Sequence, residues 1–439
     1  MVAGSIGTLI EQFDFNIYGI FAVFFSKQFF PTSNSLDALL DTFLVFALGF
    51  FFRPVGGALL GSYVDRHGRR AGLVLTMVMM TVGSLVIGLA PSYAAIGVLA
   101  PVLLVLARAL QGLAAGGEVG AAMPFLAEMS SRRRRGLGTS PQNIATGLSL
   151  LGVSGLALIL VTVLSDAQMR SWGWRVSFLV AACLGVIAII IRSRVSETPE
   201  FEARRETART SRPLSQLTRH QWRQVLLVVG IMVAPLTQFY VWLIYLPTFA
   251  RTFTHLPSSS TLPWSTVSLA MFTVTVPVSA WLSDRYGRRP LLIAFAVGGL
   301  VLVPISIATL TSTTSLGAYA LLQCLGAVLV GISSGVVTAL VTEQFGTSVR
   351  GSGVGLAYSL SAAAFGGTAP YIATWLTGGG HTQSLTIYLV AGLVVSLVVY
   401  LKMPETRGID LAAIGQSQQT KVQGTDKGAQ STDKERTML

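Results

Sequence analysis

The sequence predicts an all-α membrane protein, with twelve transmembrane helices arranged as two pseudo-symmetric six-helix bundles. Three observations predict it. The first is composition. The 439 residues are 52% hydrophobic and only 11% charged, with a mean hydropathy of +0.64. A typical soluble domain is about 25% charged. No soluble core hides that much apolar surface, so the solvent is a bilayer. The second is spacing: the apolar residues fall into twelve runs of about 20 residues or more, each long enough to cross the hydrocarbon. The third is an internal echo. Asp65-Arg66-His67-Gly68-Arg69-Arg70 returns as Asp284-Arg285-Tyr286-Gly287-Arg288-Arg289. Glu128 with Arg135-Gly136 returns as Glu343 with Arg350-Gly351, at nearly the same offset. A period this long is no solenoid unit; it is the length of about six membrane helices.

The spans read as 3–25, 38–63, 72–90, 96–127, 139–164, 176–193, 224–248, 262–282, 291–311, 316–342, 353–376 and 384–403. Turn chemistry breaks them at Pro31-Thr32-Ser33-Asn34, Pro91-Ser92, Pro257-Ser258-Ser259-Ser260 and Gly378-Gly379-Gly380. The division follows: an N-terminal bundle over 1–195, a polar cytoplasmic linker over 196–222, and a C-terminal bundle over 223–405. Residues 406–439 form a tail whose Gln, Ser, Thr, Lys and Gly predict disorder.

Lys and Arg set the orientation. Most of the 31 fall on the side of the Asp65 loop, including Arg132 to Arg135, the linker arginines, Arg285, Arg288, Arg289, Arg350 and the tail. Lys27, Arg170, Arg175 and Arg251 fall on the other side, and Arg53 and Arg108 lie within spans. This predicts a multi-pass membrane protein with both termini cytoplasmic. The net charge of +12 is then the charge of cytoplasmic loops, and no nucleic-acid partner is expected. Cys183 and Cys324 lie in apolar segments of different halves, and the four histidines are scattered, so neither disulfide nor metal site is indicated. The first apolar segment carries Glu11 and Asp14, which the h-region of a signal peptide would not. The chain enters that segment almost at once, which leaves a start upstream of Met1 open.

Ionisable groups inside spans cost about 2.5–3.5 kcal/mol each, so they are functional candidates. The first half holds Glu11, Asp14, Arg53, Arg108 and Glu118; the second half holds essentially none away from its helix ends. In the first span Gly4, Gly7, Glu11, Asp14 and Tyr18 share one face. The glycines permit close helix approach, and two nearby carboxylates make a site that can gain and lose one proton. The alternative is a structural pair neutralised by Arg53 or Arg108. In the fourth span Arg108, Gln111, Ala115 and Glu118 lie on one face, with Arg108 and Glu118 about 15 Å apart along the axis. Gly112, Gly116 and Gly120 form a close-packing seam. Arg108 can hold a carboxylate bidentately, or be locked in a network with the first span. Three acids against two bases leave one acid over, which suits a single exchangeable proton.

Asp65 and Asp284 stand at helix ends beside Arg and Gly. They suit ion pairs that hold one conformational state, and Asp65, Arg66, Gly68 and Arg69, with Asp284, Arg285, Gly287 and Arg288, are read as gating residues. Gln238, Tyr240, Trp242, Tyr245, Tyr358 and Phe365 are candidates for the far wall of a central cavity.

Asp65-Arg66-His67-Gly68-Arg69-Arg70 resembles the loop signature of the major facilitator superfamily, and Arg108-Ala109-Leu110-Gln111-Gly112 resembles its fourth-helix motif. More narrowly, the first half resembles the metabolite:proton symporter family, which includes proline/betaine, α-ketoglutarate, shikimate and citrate permeases. The stretches are Gly7 to Gly19 through Glu11, Phe13-Asp14-Phe15 and Tyr18; Arg53-Pro54 with Gly56-Gly57; and Pro91-Ser92-Tyr93 with Ile96-Gly97 and Ala100-Pro101. Arg108 to Glu118, Trp172-Gly173-Trp174-Arg175 and Glu197-Thr198-Pro199 fit as well. Gln12 stands where the family usually has an aromatic residue, and Ala280 where the second loop motif would have glycine.

The resemblance implies alternating access around a central cavity and uptake of a small organic acid or zwitterion with H⁺. The expectation is a proton-coupled symporter, a functional monomer, using no cofactor beyond the proton gradient. Glu11, Asp14 and Glu118 are its candidates for proton coupling, and Arg108, Gln111, Tyr18 and Arg53 for substrate binding. One alternative is a proton-driven exporter of a drug or natural product. Another is a membrane enzyme or sensor, for which no loop offers a catalytic or ligand-binding constellation.

Overall fold

The computed structural model describes residues 2–32, 34–67, 69–193, 221–346, 349–378 and 382–411. Within helices, the side chains of residues 2–7, 61, 62, 64–66, 69, 70, 118, 119, 121 and 382 lie outside the description. Most of the predicted linker and the predicted tail beyond Leu411 therefore lie outside the described residues, as do Gly68 and the side chains of Asp65, Arg66, Arg69 and Glu118.

Among the described residues, and with short helical turns at Tyr93–Ile96 and Arg135–Thr139 between them, twelve long helical rods follow one another. They are α1 (Val2–Phe29), α2 (Ser35–His67), α3 (Arg69–Leu89), α4 (Leu99–Glu128), α5 (Pro141–Val163) and α6 (Asp166–Ser193). Then come α7 (Trp222–Phe253), α8 (Ser258–Tyr286), α9 (Arg288–Ser312), α10 (Leu316–Thr342), α11 (Arg350–Ser361, Ala362–Gly367 and Ala369–Gly378) and α12 (Thr382–Lys402). Ten of them are long and apolar enough by themselves to cross a membrane. Several rods outrun the spans read from hydropathy, because a helix continues into polar ends that an apolar run does not count. α6 is the clearest case. It starts at Asp166 rather than near 176, with a capping box between Ser165 and Gln168 and a wide π turn over Met169–Gly173.

The packing repeats every six helices. α2 lies against α4 as α8 lies against α10; α3 against α6 as α9 against α12; α1 against α5 as α7 against α11. The halves meet through α2 with α11 and through α5 with α8, which are equivalent pairs, and through α4 with α11. The α2–α4 seam needs glycine. A Cβ on Gly112 would stand 2.0 Å from the Gly49 carbonyl oxygen, and one on Gly116 1.9 Å from that of Arg53. Its counterpart is Gly331 and Gly335 on α10, packed against Thr275 and the Val276 carbonyl of α8.

The outward side chains are apolar: Leu59, Leu89, Leu106, Ile159, Val163, Val274, Val301 and Ile387 are all exposed. Asp14, Arg53, Arg108 and Gln111 are buried. This inversion of the soluble pattern is what a bilayer requires.

Candidate functional site

The buried polar groups gather where α1, α2, α3 and α4 meet. Arg108 Nη1 donates to Gln111 Oε1 at 2.9 Å, one turn further along α4. Gln111 Nε2 then donates to Ser84 Oγ on α3 at 2.9 Å and to Asp14 Oδ1 on α1 at 3.3 Å. Ser84 Oγ donates to the same Asp14 oxygen. A relay thus runs from a guanidinium to a carboxylate through one amide, and no salt bridge joins Arg108 to Asp14 among the described residues. Arg108 is fully buried, yet its Nε and Nη2 have no hydrogen-bond partner. They form one edge of the guanidinium, the edge that grips a carboxylate with both oxygens.

Aromatic rings face both buried cations. The Arg108 guanidinium carbon lies 4.3 Å from the Phe15 ring centroid and 4.6 Å from that of Tyr18. Arg53 lies 4.2 Å from the centroids of Phe15 and of Phe50, so Phe15 touches both cations. Each such contact is worth about 0.5–2 kcal/mol, part of the cost of a buried charge. The second half closes the cluster: Tyr240 of α7 packs edge-on to Phe46 and Phe50. Tyr240 and Tyr358 both lie within electrostatic reach of Arg53. Tyr240 begins a π turn, Tyr240–Tyr245, that follows Pro235 and re-aims the rings of α7.

A second ionic cluster lies at the Asp284 end of the bundle. Asp284 accepts from the backbone N–H groups of Gly136 and Leu137 at 2.8 and 2.9 Å, and from Arg288 Nη1 at 2.7 Å. Glu343 is fully enclosed. It pairs with Arg135 at 3.0 Å and Arg288 at 3.4 Å, and accepts from Thr406 Oγ1 at 2.6 Å. Arg350 pairs with Glu128 at 2.6 Å. Arg135 and Glu128 belong to the first half, Glu343 and Arg350 to the second, so the repeated motif pairs across the halves with partners exchanged. Glu405 accepts from the backbone of Arg288 and Arg289 at 2.8 and 2.9 Å, beneath Gly287, whose φ of 112° leaves no room for a side chain. Among the described residues no group of His, Cys, Asp and Glu could hold a metal ion.

The profile of the Major Facilitator Superfamily matches residues 4–369, and again 264–424. The chain belongs to this superfamily. It is a multi-pass membrane transporter, not an enzyme. Its sequence is 35% identical to the α-ketoglutarate permease of Escherichia coli (strain K12) over 92% of this chain and 93% of the relative. It is also 35% identical to the citrate-proton symporter of Klebsiella pneumoniae, over 90% of each. The fold is similar to that of a D-xylose-proton symporter, with a TM-score of 0.74 at 18% identity, covering 93% of this chain and 98% of that one.

Within this facilitator the predicted residues part company. Asp14, Arg108 and Gln111 share the relay, and Arg53 stands beside it across Phe15. Glu11 is buried on the same helix one turn before Asp14. Tyr18 turns its ring to Arg108 but gives its hydroxyl to the Thr42 carbonyl at 3.1 Å. Gln238 is taken up by Trp242 at 2.8 Å, and Tyr245 by Thr377 at 2.9 Å, so their polar groups face their own half. Asp284 and Arg288 join the second cluster, whereas Arg285 is exposed beside Trp281 and Tyr286. Ser84 went unnoticed in the sequence, since a serine in an apolar run carries no signal of its own. Glu128, Arg135, Glu343 and Arg350 were visible as an echo, but spacing does not say which acid meets which base.

Proposed function

We propose that this transporter takes up a small carboxylate, or a zwitterion bearing one, together with a proton, by alternating access. The observation that carries the reading is the buried relay from Arg108 through Gln111 to Asp14, with one guanidinium edge unfilled. The substrate's carboxylate takes the Nε and Nη2 edge of Arg108, and Arg53 holds a second polar group across Phe15. Gln111 links the two events, because its oxygen faces Arg108 while its nitrogen faces Asp14. A proton on Asp14 removes the negative end of the relay and leaves Arg108 to the substrate. Glu11 and Glu118 are the further groups proposed for the proton's route.

Proton and substrate together then favour the occluded form, and the halves rock about the site. The Asp284 cluster holds one end closed until its pairs separate. The Lys and Arg distribution supports a cytoplasmic location for that end and for both termini, and the relatives support a bacterial plasma membrane. A single chain contains the whole relay, which supports a functional monomer.

The test is uptake by membrane vesicles of α-ketoglutarate, citrate, shikimate, proline and glycine betaine, with and without an inward proton gradient. The expected result is gradient-driven accumulation of one compound, lost in Arg108→Ala. Asp14→Asn is expected to keep exchange of labelled for unlabelled substrate but to lose accumulation. Accumulation that ignores the gradient would overturn the proton coupling. Gradient-driven expulsion of a hydrophobic dye, with no uptake, would overturn import.

A further inference from the structure

At the end opposite the Asp284 cluster, a cleft of about 580 Å³ opens between the halves. It is lined by Lys27 of α1, Arg170 of α6, Arg251 of α7 and His255 just beyond, with Tyr93 and Ser92 on its wall. Its charge runs against the rest of the molecule. Nearly all Lys and Arg outside the spans lie toward the other end, and the exceptions are Lys27, Arg170, Arg175 and Arg251. Basic residues on this side work against the orientation signal, so they need another reason to be there. Arg175 has a structural one, donating to the Ala90 and Ser171 carbonyls. The other three converge on the cleft.

Their arrangement favours an anion. Arg170 stands close enough to Arg251 to repel it. One acid, Asp166, pairs with Arg251 at 3.5 Å, and Arg251 also donates to Ser258. Neither Lys27 nor Arg170 meets a carboxylate among the described residues. Like charges held together in a cleft repel until a counter-ion joins them, and a cleft with low-dielectric walls focuses their field. The backbone holds this shape. Gln28 of α1 donates to the Arg170 carbonyl at 2.8 Å. His255 has φ of 56°, the one positive value at a non-glycine among the described residues, and such strain persists where the surroundings hold it.

We infer that this cleft is a separate outer binding site for small anions with two or more carboxylates, which holds the substrate before it reaches Arg108. The inference rests on the carboxylate reading above and narrows it to polyanions, since a zwitterion gains little from three cations. The outer site binds weakly and fast, and salt screens it, because its cations are partly exposed.

The test is calorimetric titration of the full chain in nanodiscs of zwitterionic lipid, with succinate and citrate as probes and glycine betaine as control. Two classes of site are expected for succinate, with citrate favoured over succinate in the weaker one. Lys27→Gln with Arg170→Gln should weaken that class about tenfold at low salt. The tighter class should survive, which also shows that the variant folds. Arg108→Gln should do the reverse. A single class that only Arg108→Gln removes would overturn the outer site and leave the carboxylate reading standing. Glycine betaine filling the weaker class as well as succinate does would overturn the choice of polyanions. Absence of both classes for succinate and citrate would overturn the outer site and the choice of polyanions together, and tight binding of glycine betaine in the same titration would leave the carboxylate reading standing.

Discussion

Two buried ionic clusters divide this molecule, and they differ in what they leave over. In the Asp284 cluster each carboxylate is satisfied: Glu343 has two guanidinium groups and a hydroxyl, and Asp284 has one guanidinium and two backbone N–H groups. In the central cluster the Nε and Nη2 edge of Arg108 has no partner among the described residues, and the one acceptor Arg108 meets there is an amide. Arg135 Nε and Arg288 Nε of the Asp284 cluster are buried without a partner as well, but the ions themselves are paired. A cluster of paired ions stores the energy of one conformation, and breaking it is a switch. A cluster with buried donors left unfilled pays for them until a ligand arrives. The first is therefore suited to gating and the second to binding.

That contrast can be broken experimentally. The largest effect is expected at Arg108. Arg108→Ala removes a buried, charge-assisted pair with the substrate, and uptake kcat/KM should fall on the order of 10²–10³-fold. Retention of near-normal uptake would move the substrate site away from the relay.

Next comes Glu343→Gln. Breaking a buried pair costs about 3–5 kcal/mol, so the closed Asp284 end should lose its dominance. Spin labels at His67→Cys and Tyr286→Cys, both exposed near that end, should report a longer distance. Substrate affinity should change far less than in Arg108→Ala. A lost affinity with an unchanged distance would reverse the roles of the two clusters.

The third prediction concerns the repeated seam. Gly112→Ala drives a Cβ into a backbone carbonyl, while Gly331→Ala meets first the Thr275 side chain at 2.7 Å. Overpacking of this kind costs about 1–3 kcal/mol. Thermal unfolding in detergent should show the larger loss for Gly112→Ala, and equal losses would mean that the first seam yields as readily as the second.

The smallest effect is expected for Ser84→Ala, which removes one donor from Asp14 for about 1 kcal/mol. Gradient-driven accumulation should fall several-fold while substrate exchange in the absence of a gradient stays unchanged. Equal loss of both would make Ser84 a packing residue instead of part of the coupling.

Legibility differed between the two clusters for a physical reason. Asp14, Arg53 and Arg108 stood out because a charge in an apolar run is costly and therefore visible. Ser84 and Gln111 fit a membrane helix at little cost, so one went unseen and the other was assigned to the substrate rather than to the relay. Arg285 and Arg288 stand in one motif and looked alike, yet the turn at Gly287 sends one outward and the other inward. Lys27, Arg170 and Arg251 were legible as departures from the charge bias, but nothing in their separation along the chain brings them to one cleft.

By itself the sequence determined the solvent, the number of spans, the duplication and which charges fall inside apolar runs. All of these follow from local apolar length and from repetition, which are properties of one dimension. The tertiary structure alone decided that Asp14 meets Arg108 through an amide, that Glu128 and Glu343 exchange arginines across the halves, and that three stray cations face one another. Those outcomes depend on how each helix is rotated and how deep it sits against its neighbours. Backbone contacts such as those at Gly112 and Gly116 settle that rotation and depth, and spacing along a single helix does not encode them.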